Sequence, residues 1–284
     1  MLKARLKFWK TELDFAFGEL VVCTVCIFAN VGVRAASPPD TVFLEELTSF
    51  EVRDLIMAGK TTIIFPTGGT EQNGPHMILG KHNFIVRYTA EQIARQLGNA
   101  LVAPVLAYVP EGNVDPPSGH MLFPGTITLP PEYFMKVTEY AARSFRLHGF
   151  KNIVLIGDSG PNQAGLKSVA EALTKEWSKS DIRVLYIADY YDEAPFLAWL
   201  KSQSESSDSI GTHAGISDTS QLLALNPEGV RTDKLASGGN SAVTGFNGNP
   251  SRANVRYGKK GLEFKISQAV ARIRQLIPNF PVKR

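Results

Sequence analysis

The sequence predicts an α/β fold, with a mostly parallel central sheet that helices cover on both faces. Two observations support this prediction. Short apolar runs alternate with amphipathic helical segments of about ten to fifteen residues, as in repeated βαβ units. No internal repeat and no linker divides the chain, so its 284 residues fit one large domain behind a short leader.

The first predicted elements are a helix, a strand and a second helix. Residues 41–59 predict an entry segment and a helix, for which Thr48 or Ser49 is the candidate N-cap. The β-branched run at 61–65 predicts a strand. Residues 83–97 place their apolar side chains on one helical face, which predicts the second helix.

The middle of the chain predicts two further strands around a third helix. The apolar run at 101–109 predicts a buried strand, and a loop rich in Gly and Pro follows it as far as the short run at 126–129. A helix is predicted between Pro130 and Gly149, because proline favours a first turn and glycine a helix end. The run at 152–156 predicts another strongly buried strand.

The last third of the chain continues the same alternation. Apolar periodicity predicts a helix at 163–177, and the run at 183–188 predicts a strand. Residues 213–230 are expected to form a loop that runs into a helix. A closing helix is predicted at 261–276.

The N-terminal segment is typical of a secretory signal peptide. Four basic residues occur in the first ten, an apolar run covers 20–29, and the small residues Ala35 and Ala36 follow. We predict a signal peptide at 1–35 and a mature domain at 36–284, located in the periplasm or secreted, with no membrane contact after cleavage. Three acidic residues between positions 12 and 19 are unusual in such a leader, so an uncleaved anchor or a later start codon stays an alternative.

Charge and cysteine content exclude several functions. The net charge is only +3 and no basic cluster contains interleaved aromatic residues, so nothing indicates nucleic-acid binding. Both cysteines, Cys23 and Cys26, lie in the leader. The mature chain would therefore have no disulfide, no catalytic thiolate and no cysteine metal ligand.

The densest group of reactive side chains lies in the loop Pro66–Asn83, PTGGTEQNGPHMILGKHN, between a predicted strand and a predicted helix. Such loops carry the sites of open α/β sheets, and the segments 157–162 and 213–220 are expected at the same sheet edge. The loop is rich in residue types that bind metals, including Glu71 and His82. A turn whose polar side chains only bond one another is the alternative.

The segment GDSGP at 157–161 also invites comparison with serine hydrolases. Its GDSG resembles the nucleophile segment of trypsin-like proteases, but those are all-β proteins. It also lacks the Gly-x-Ser-x-Gly pattern of a nucleophile elbow, since Pro161 takes the last position. Ser159 is therefore a poor candidate nucleophile.

Four segments, in order, resemble the creatininase (creatinine amidohydrolase) family. TEQNGPHMILGKHN is similar to that family's TEQHGPHLPLGTD-like loop, and SGHMLFPGT, the strand and loop at 152–162, and HAGISDTSQLLALNP match other family segments. The resemblance implies a three-layer α/β/α sandwich, often assembled as a hexamer. It also implies hydrolysis of small amides and related bonds with two divalent metals.

The matched positions depart from the family's metal ligands. Glu71 keeps the first ligand, Asn73 replaces a histidine, His82 replaces the bridging aspartate, and Asp158 replaces a histidine. Gly160 stands where a further ligand is expected. We therefore predict one divalent ion per chain, zinc or manganese, bound by Glu71, His82 and Asp158.

The resemblance also assigns roles to other side chains. His213 aligns with a family histidine credited with proton transfer, so it is the predicted catalytic residue. A helix-entry histidine that only bonds its own loop is the alternative. The predicted substrate-binding residues are Asn73, His76, His120 and Asp218.

The predicted function is that of an exported, metal-dependent hydrolase that cleaves a C–N bond of a small amide or lactam with metal-activated water. Because its ligands are altered, we do not expect creatinine itself to be the substrate. We also expect a homo-oligomer. Two alternatives stay open: a hydrolase or lyase that acts on a sugar-like ring, such as a keto-sugar or cyclitol, and a non-catalytic periplasmic binding protein. Metal analysis separates the binding protein from either enzyme.

Overall fold

The computed structural model describes residues 39–277. Four strands form one parallel sheet in the order β2-β1-β3-β4. They are β1 Thr62–Thr67, β2 Ala100–Val102, β3 Asn152–Gly157 and β4 Arg183–Tyr186. The predicted signal peptide at 1–35 lies outside the described residues. Within 39–277, no helix is long and apolar enough to span a bilayer.

The helices follow the strands in the predicted alternation. Those in the described part of the chain are α1 Ser49–Met57, α2 Lys81–Leu97, α3 Pro131–Leu147, α4 Asn162–Glu176, α5 Ala194–Ser202, α6 Ser207–Ile210, α7 Ile216–Leu225, α8 Ser241–Thr244 and α9 Val255–Leu276. Thr48 caps α1 in a capping box with Glu51, which confirms the first of the two predicted N-caps.

The sheet lies between two helical layers, each with its own hydrophobic core. Helices α2 and α9 cover one face, where Ile64 and Val154 point. Helices α3 and α4 cover the other face, where Ile63 and Ile153 point. Because alternate residues of a strand face opposite sides, burial on both sides makes the central residues of β1 and β3 apolar. The predicted α/β/α sandwich with a parallel sheet is confirmed.

Two elements differ in length from their predictions. The strand predicted at 101–109 ends at Val102, because Pro104 has no backbone N–H to donate to a neighbouring strand. The closing helix starts at Val255, six residues before its predicted start, where the Asn254 side chain accepts a hydrogen bond from Tyr257 N.

The glycine at 258 sets how closely α9 approaches α7. A Cβ at Gly258 would overlap the carbonyl oxygen of Ser220. We expect Gly258→Ala to destabilise the fold by about 1–3 kcal/mol, because overpacking outweighs the helix propensity that alanine adds. Urea unfolding measures this loss. Gly238→Ala is the control, since no heavy atom lies within 4 Å of its added Cβ; equal stability of the two variants would contradict the close contact.

Candidate active site

A cavity of about 500 Å³ opens at the carboxyl edge of the sheet. The loops that follow β1 and β3 and the loop that precedes α7 all contribute to its wall, together with the turn Gly119–Leu122 and one residue of α9. The segments 66–83, 157–162 and 213–220 thus converge, as expected from the parallel sheet.

Short contacts with neighbouring side chains fix the glycines after β1. The side chain of Asn83 accepts a hydrogen bond from Gly69 N at 3.1 Å. The amide of Asn162 donates to the carbonyl oxygens of Thr67 and Gly68. A Cβ at Gly69 would lie 2.5 Å from the carboxylate of Glu111. An added Cβ would therefore displace the Glu111 carboxylate, and the packed loop holds Glu71 at the cavity.

His82, in the first turn of α2, lies between two carboxylates. Its Nε2 is 2.8 Å from Glu71 Oε1, and its Nδ1 is 2.7 Å from Asp158 Oδ2. A neutral imidazole donates through only one nitrogen, so two carboxylate partners require both nitrogens to carry hydrogen. His82 is therefore an imidazolium, and neither of its nitrogens has a lone pair free for a metal ion.

Two buried lysines supply further positive charge at the base of the cavity. Lys265 Nζ is 3.1 Å from Asp158 Oδ1, to which the Tyr190 hydroxyl also donates. Lys81 Nζ is 3.1 Å from Asp218 Oδ2 and 3.4 Å from Glu71 Oε1. Lys81 is only 1% exposed, so these carboxylates balance its charge in place of water.

The pKa values of these groups follow from the charge network. Burial opposes charge on His82 and Lys81, but the nearby carboxylates outweigh it and raise the pKa of both, that of His82 to about 9. Burial would raise the pKa of Asp158, but Lys265 and His82 hold it well below its usual value. His82 and Lys81 likewise lower the pKa of Glu71 despite its burial. All four groups are charged at neutral pH.

A second group of potential metal ligands lies on the other side of Glu71. Ligand atoms of Glu71, His120 and His213 all lie within 4.8 Å of one another. His120 Nε2 is 3.2 Å from Glu71 Oε2, and His213 Nδ1 is 3.8 Å from Glu71 Oε1. His213 Nε2 lies 3.0 Å from the Gln72 carbonyl oxygen. Donation to that oxygen leaves the Nδ1 lone pair directed at Glu71.

The protonation states of this group fit a metal ion. Burial lowers the pKa of His120, and burial with the charge of Lys81 lowers the pKa of His213 to about 4. Both imidazoles are neutral at pH 7, whereas Glu71 is ionised. Two neutral histidines and one glutamate form one of the usual ligand sets of catalytic zinc sites.

The geometry therefore favours a different grouping from the predicted ligand set. The structure brings Glu71, His82 and Asp158 together, but as ion-paired side chains. Glu71 is the one predicted ligand that also faces His120 and His213. The predicted proton donor His213 is neutral at pH 7, so it suits a ligand or a proton acceptor better than an acid.

Two of the predicted substrate-binding residues have structural positions instead. Asn73 is fully buried, and its amide donates to the carbonyl oxygens of Glu71 and Ile78. His76 is also fully buried, and its Nε2 contacts the Ala214 carbonyl oxygen at 3.0 Å. Neither residue lines the cavity, so the structure places both behind its wall, and their role in substrate binding stays a prediction without a contact that supports it. His120 and Asp218 do line it.

Four ionisable residues of the site were not among the predicted ones: Lys81, Lys265, Glu193 and Glu111. Lys81 lies next to His82 in the loop Pro66–Asn83, so its position was the available signal. Lys265 lies among the buried residues of α9, so a lysine on an apolar helix face was the available signal. Burial and the charge of Glu71 raise the pKa of Glu111 to about 9, which leaves it protonated at neutral pH.

The charge on His82 makes stability depend on pH. Its pKa is raised from 6.5 to about 9 in the folded state, so its contribution is complete below about pH 6.5 and is lost as pH rises to 9. We expect metal-free wild type to lose on the order of 3 kcal/mol more than His82→Gln over this range. Urea unfolding at pH 6 and pH 9 in EDTA measures the difference. Parallel pH profiles would contradict the charged state of His82.

The chain is similar in sequence to known amide hydrolases. Residues 45–273 match the family described as Creatininase: Creatinine amidohydrolase. The chain is 26% identical over 200 residues to the creatinine amidohydrolase of Pseudomonas putida, which covers 69% of this chain and 76% of that protein. It is 25% identical over 240 residues to a mycofactocin precursor peptide peptidase of Mycolicibacterium smegmatis, covering 76% and 86% of the two chains.

Solved structures show the same fold. A manganese creatininase superposes with a TM-score of 0.72 at 23% identity, over 85% of this chain and all of the other. At this identity the superposition establishes the α/β/α architecture and leaves side-chain roles to the geometry of the cavity.

Proposed function

The chain belongs to the creatininase family, whose members are metal-dependent amidohydrolases, and from this premise we propose that it hydrolyses a C–N bond of a small amide, lactam or peptide. We further propose that a single divalent ion, zinc or manganese, is held by Glu71, His120 and His213. The observation that supports this most directly is the convergence of two neutral imidazoles on one buried, ionised carboxylate in the cavity wall.

A divalent ion held there would polarise the scissile carbonyl and lower the pKa of a water molecule. Hydrogen bonds within the chain already orient the side chains at this position. Gln72 orients His213, because its backbone carbonyl oxygen lies 3.0 Å from His213 Nε2. The side-chain amide nitrogen of Gln72 lies 3.0 Å from His120 Nδ1, so His120 becomes a ligand through Nε2 once that amide turns its oxygen towards Nδ1. Ligands oriented by such hydrogen bonds bind metals more tightly than free ones.

Asp218 lies in the cavity wall, between Lys81 and the segment that carries His213. Its Oδ2 accepts hydrogen bonds from Lys81 Nζ at 3.1 Å and from Ala214 N at 2.7 Å. These contacts tie the segment that carries His213 to the first turn of α2, which carries Lys81 and His82. Asp218 is only 18% exposed and ionised, so it can orient a polar hydrogen of a bound amide.

The lining and the volume of the cavity support a small amide or the end of a peptide as the substrate. Its wall contains both polar groups and the apolar side chains of Leu122 and Phe123. A volume of about 500 Å³ accommodates a small molecule or the end of a peptide. The names of the relatives cover both possibilities, a cyclic amide and a peptide.

Chelation combined with a substrate panel tests this function. We expect turnover of at least one member of a panel of lactams, creatinine and short peptides, loss of turnover in EDTA, and recovery on adding zinc or manganese. Turnover that survives complete chelation would contradict the metal's role. Metal-free protein that binds these compounds without turnover would favour the binding-protein alternative, and turnover of keto-sugars alone would favour the sugar-ring alternative.

One pair of variants distinguishes the two roles that His213 can have. If it is a ligand, His213→Ala loses metal and activity together. If it only transfers protons, His213→Ala keeps the metal and loses activity. His148→Ala is the matched control, because His148 lies at the C-terminal end of α3, outside the cavity wall. Retained metal in His213→Ala would contradict the ligand set.

Export to the periplasm or medium and assembly into a homo-oligomer, as a hexamer, are also proposed. They rest on the leader-like residues 1–35 and on the family resemblance. Mass spectrometry of the mature N-terminus and light scattering would test them.

A further inference from the structure

The Asp158 end of the cavity has its own set of charges. Asp158 Oδ2 contacts His82 Nδ1 at 2.7 Å, while Asp158 Oδ1 contacts Lys265 Nζ at 3.1 Å and the Tyr190 hydroxyl at 3.0 Å. Both carboxylate oxygens therefore have close partners. A metal ion at Asp158 would have to displace a positively charged group from a buried position.

The Lys265 ammonium is enclosed on several sides. It lies 5.1 Å from the ring centroid of Tyr190 and 5.6 Å from that of Tyr191, within the range of cation–π attraction. The charge of Glu193 also stabilises it. Lys265 is only 6% exposed, on the buried face of α9. Its charge is thus held at one place by carboxylates and aromatic rings.

Lys81 extends this positive charge towards Glu71. Its Nζ lies 3.4 Å from Glu71 Oε1 and 3.1 Å from Asp218 Oδ2, and it is 1% exposed. Lys81 and Lys265 thus place two ammonium groups among Glu71, Asp158 and Asp218. The charge of these carboxylates is balanced without any added ion on the Asp158 side.

We propose that Lys265 acts as a built-in cation that excludes metal ions from the Asp158 end of the cavity, so that the chain works with a single ion. This inference rests on the proposed function only for the position of that ion, at Glu71, His120 and His213. The closure itself rests on ion pairs whose distances are given above. A divalent ion beside Lys265 would meet strong like-charge repulsion at low dielectric.

The test is to remove the charge of Lys265 and count metal ions. We expect wild-type protein to take up one zinc ion per chain, and Lys265→Met to take up a second at the freed Asp158 and Glu193 carboxylates. Inductively coupled plasma mass spectrometry gives the stoichiometry, and isothermal titration with zinc gives the number of sites. Lys260→Met is the matched control, since Lys260 lies on the same helix and pairs with Glu263 on its exposed side.

Stability provides a second readout, because Lys265→Met leaves a buried carboxylate without its partner. We expect zinc to raise the melting temperature of Lys265→Met more than that of wild type, and to promote its folding if the metal-free variant does not fold. Lys265→Gln is the second variant, because its amide still donates to Asp158 while the charge is removed. Lys265→Arg keeps the charge and should bind metal as wild type does.

Two sites in wild type, or no gain of a site in either neutral variant, would overturn the closure of the Asp158 end. Failure of the proposed function gives a different result. In that case wild type binds no zinc, and His120→Ala leaves the zinc stoichiometry of Lys265→Met unchanged. Gain of a site in the neutral variants would still support Lys265 as the built-in cation.

Discussion

Replacing Glu71 with glutamine is expected to abolish hydrolysis and to release the metal ion. Glu71 is the carboxylate that His120 and His213 both face, and it also pairs with His82 and Lys81. An amide of the same shape keeps the packing but removes the charge that a divalent ion requires. Loss of an outer hydrogen-bond partner of a ligand costs 10–100-fold in activity, so loss of the ligand itself should cost more than about 100-fold.

The measurement pairs turnover with metal content in the same preparation. Glu263→Gln is the control, because Glu263 is an exposed glutamate on α9 that pairs only with Lys260 among the contacts described. Circular dichroism serves to check that the Glu71→Gln variant is folded. A Glu71→Gln protein with full metal content and wild-type turnover would show that the metal, if present, binds elsewhere.

Of the substitutions proposed, replacing Asp158 with asparagine should cause the largest loss in the free energy of unfolding. Lys265, His82 and the Tyr190 hydroxyl would then share a neutral amide in a buried position. Breaking a buried ion pair by removing one partner typically costs about 3–5 kcal/mol, because the other charge stays buried and unpaired. Urea unfolding measures the change, and Asp233→Asn, an exposed aspartate, is the control.

A double-mutant cycle shows whether the loss comes from the ion pair with Lys265. If it does, Lys265→Met combined with Asp158→Asn should be clearly more stable than the sum of the single effects predicts, since the double variant buries neither charge. Strict additivity would mean that Asp158 stabilises the fold without Lys265.

Much of the fold could be predicted from the sequence because its signals are local. Runs such as 153–156 are apolar throughout, and this indicates strands buried on both faces. Helix α3 begins at the predicted proline and ends just before Gly149. The predicted length of β2 was wrong because Pro104 interrupts the run at 101–109. Proline has no backbone N–H and cannot donate within a sheet.

The candidate site was predicted in its location and less well in its detail. Parallel strands bring the loops after β1 and β3 to one edge, so the meeting of Glu71, His82 and Asp158 followed from topology. The state of His82 did not follow, because it depends on distances that the sequence does not give: both of its ring nitrogens lie within 2.8 Å of a carboxylate oxygen. The ligand types at matched positions do not reveal that Asp158 has a lysine partner, because Lys265 lies more than 100 residues further along the chain.

A zinc-loaded crystal structure, with anomalous diffraction recorded on both sides of the zinc edge, tests the central claim most directly. We expect one anomalous peak per chain, from a zinc ion bound by Glu71, His120 and His213, with Lys265 still paired to Asp158. A peak between Glu71, His82 and Asp158, or two peaks in one cavity, would contradict it.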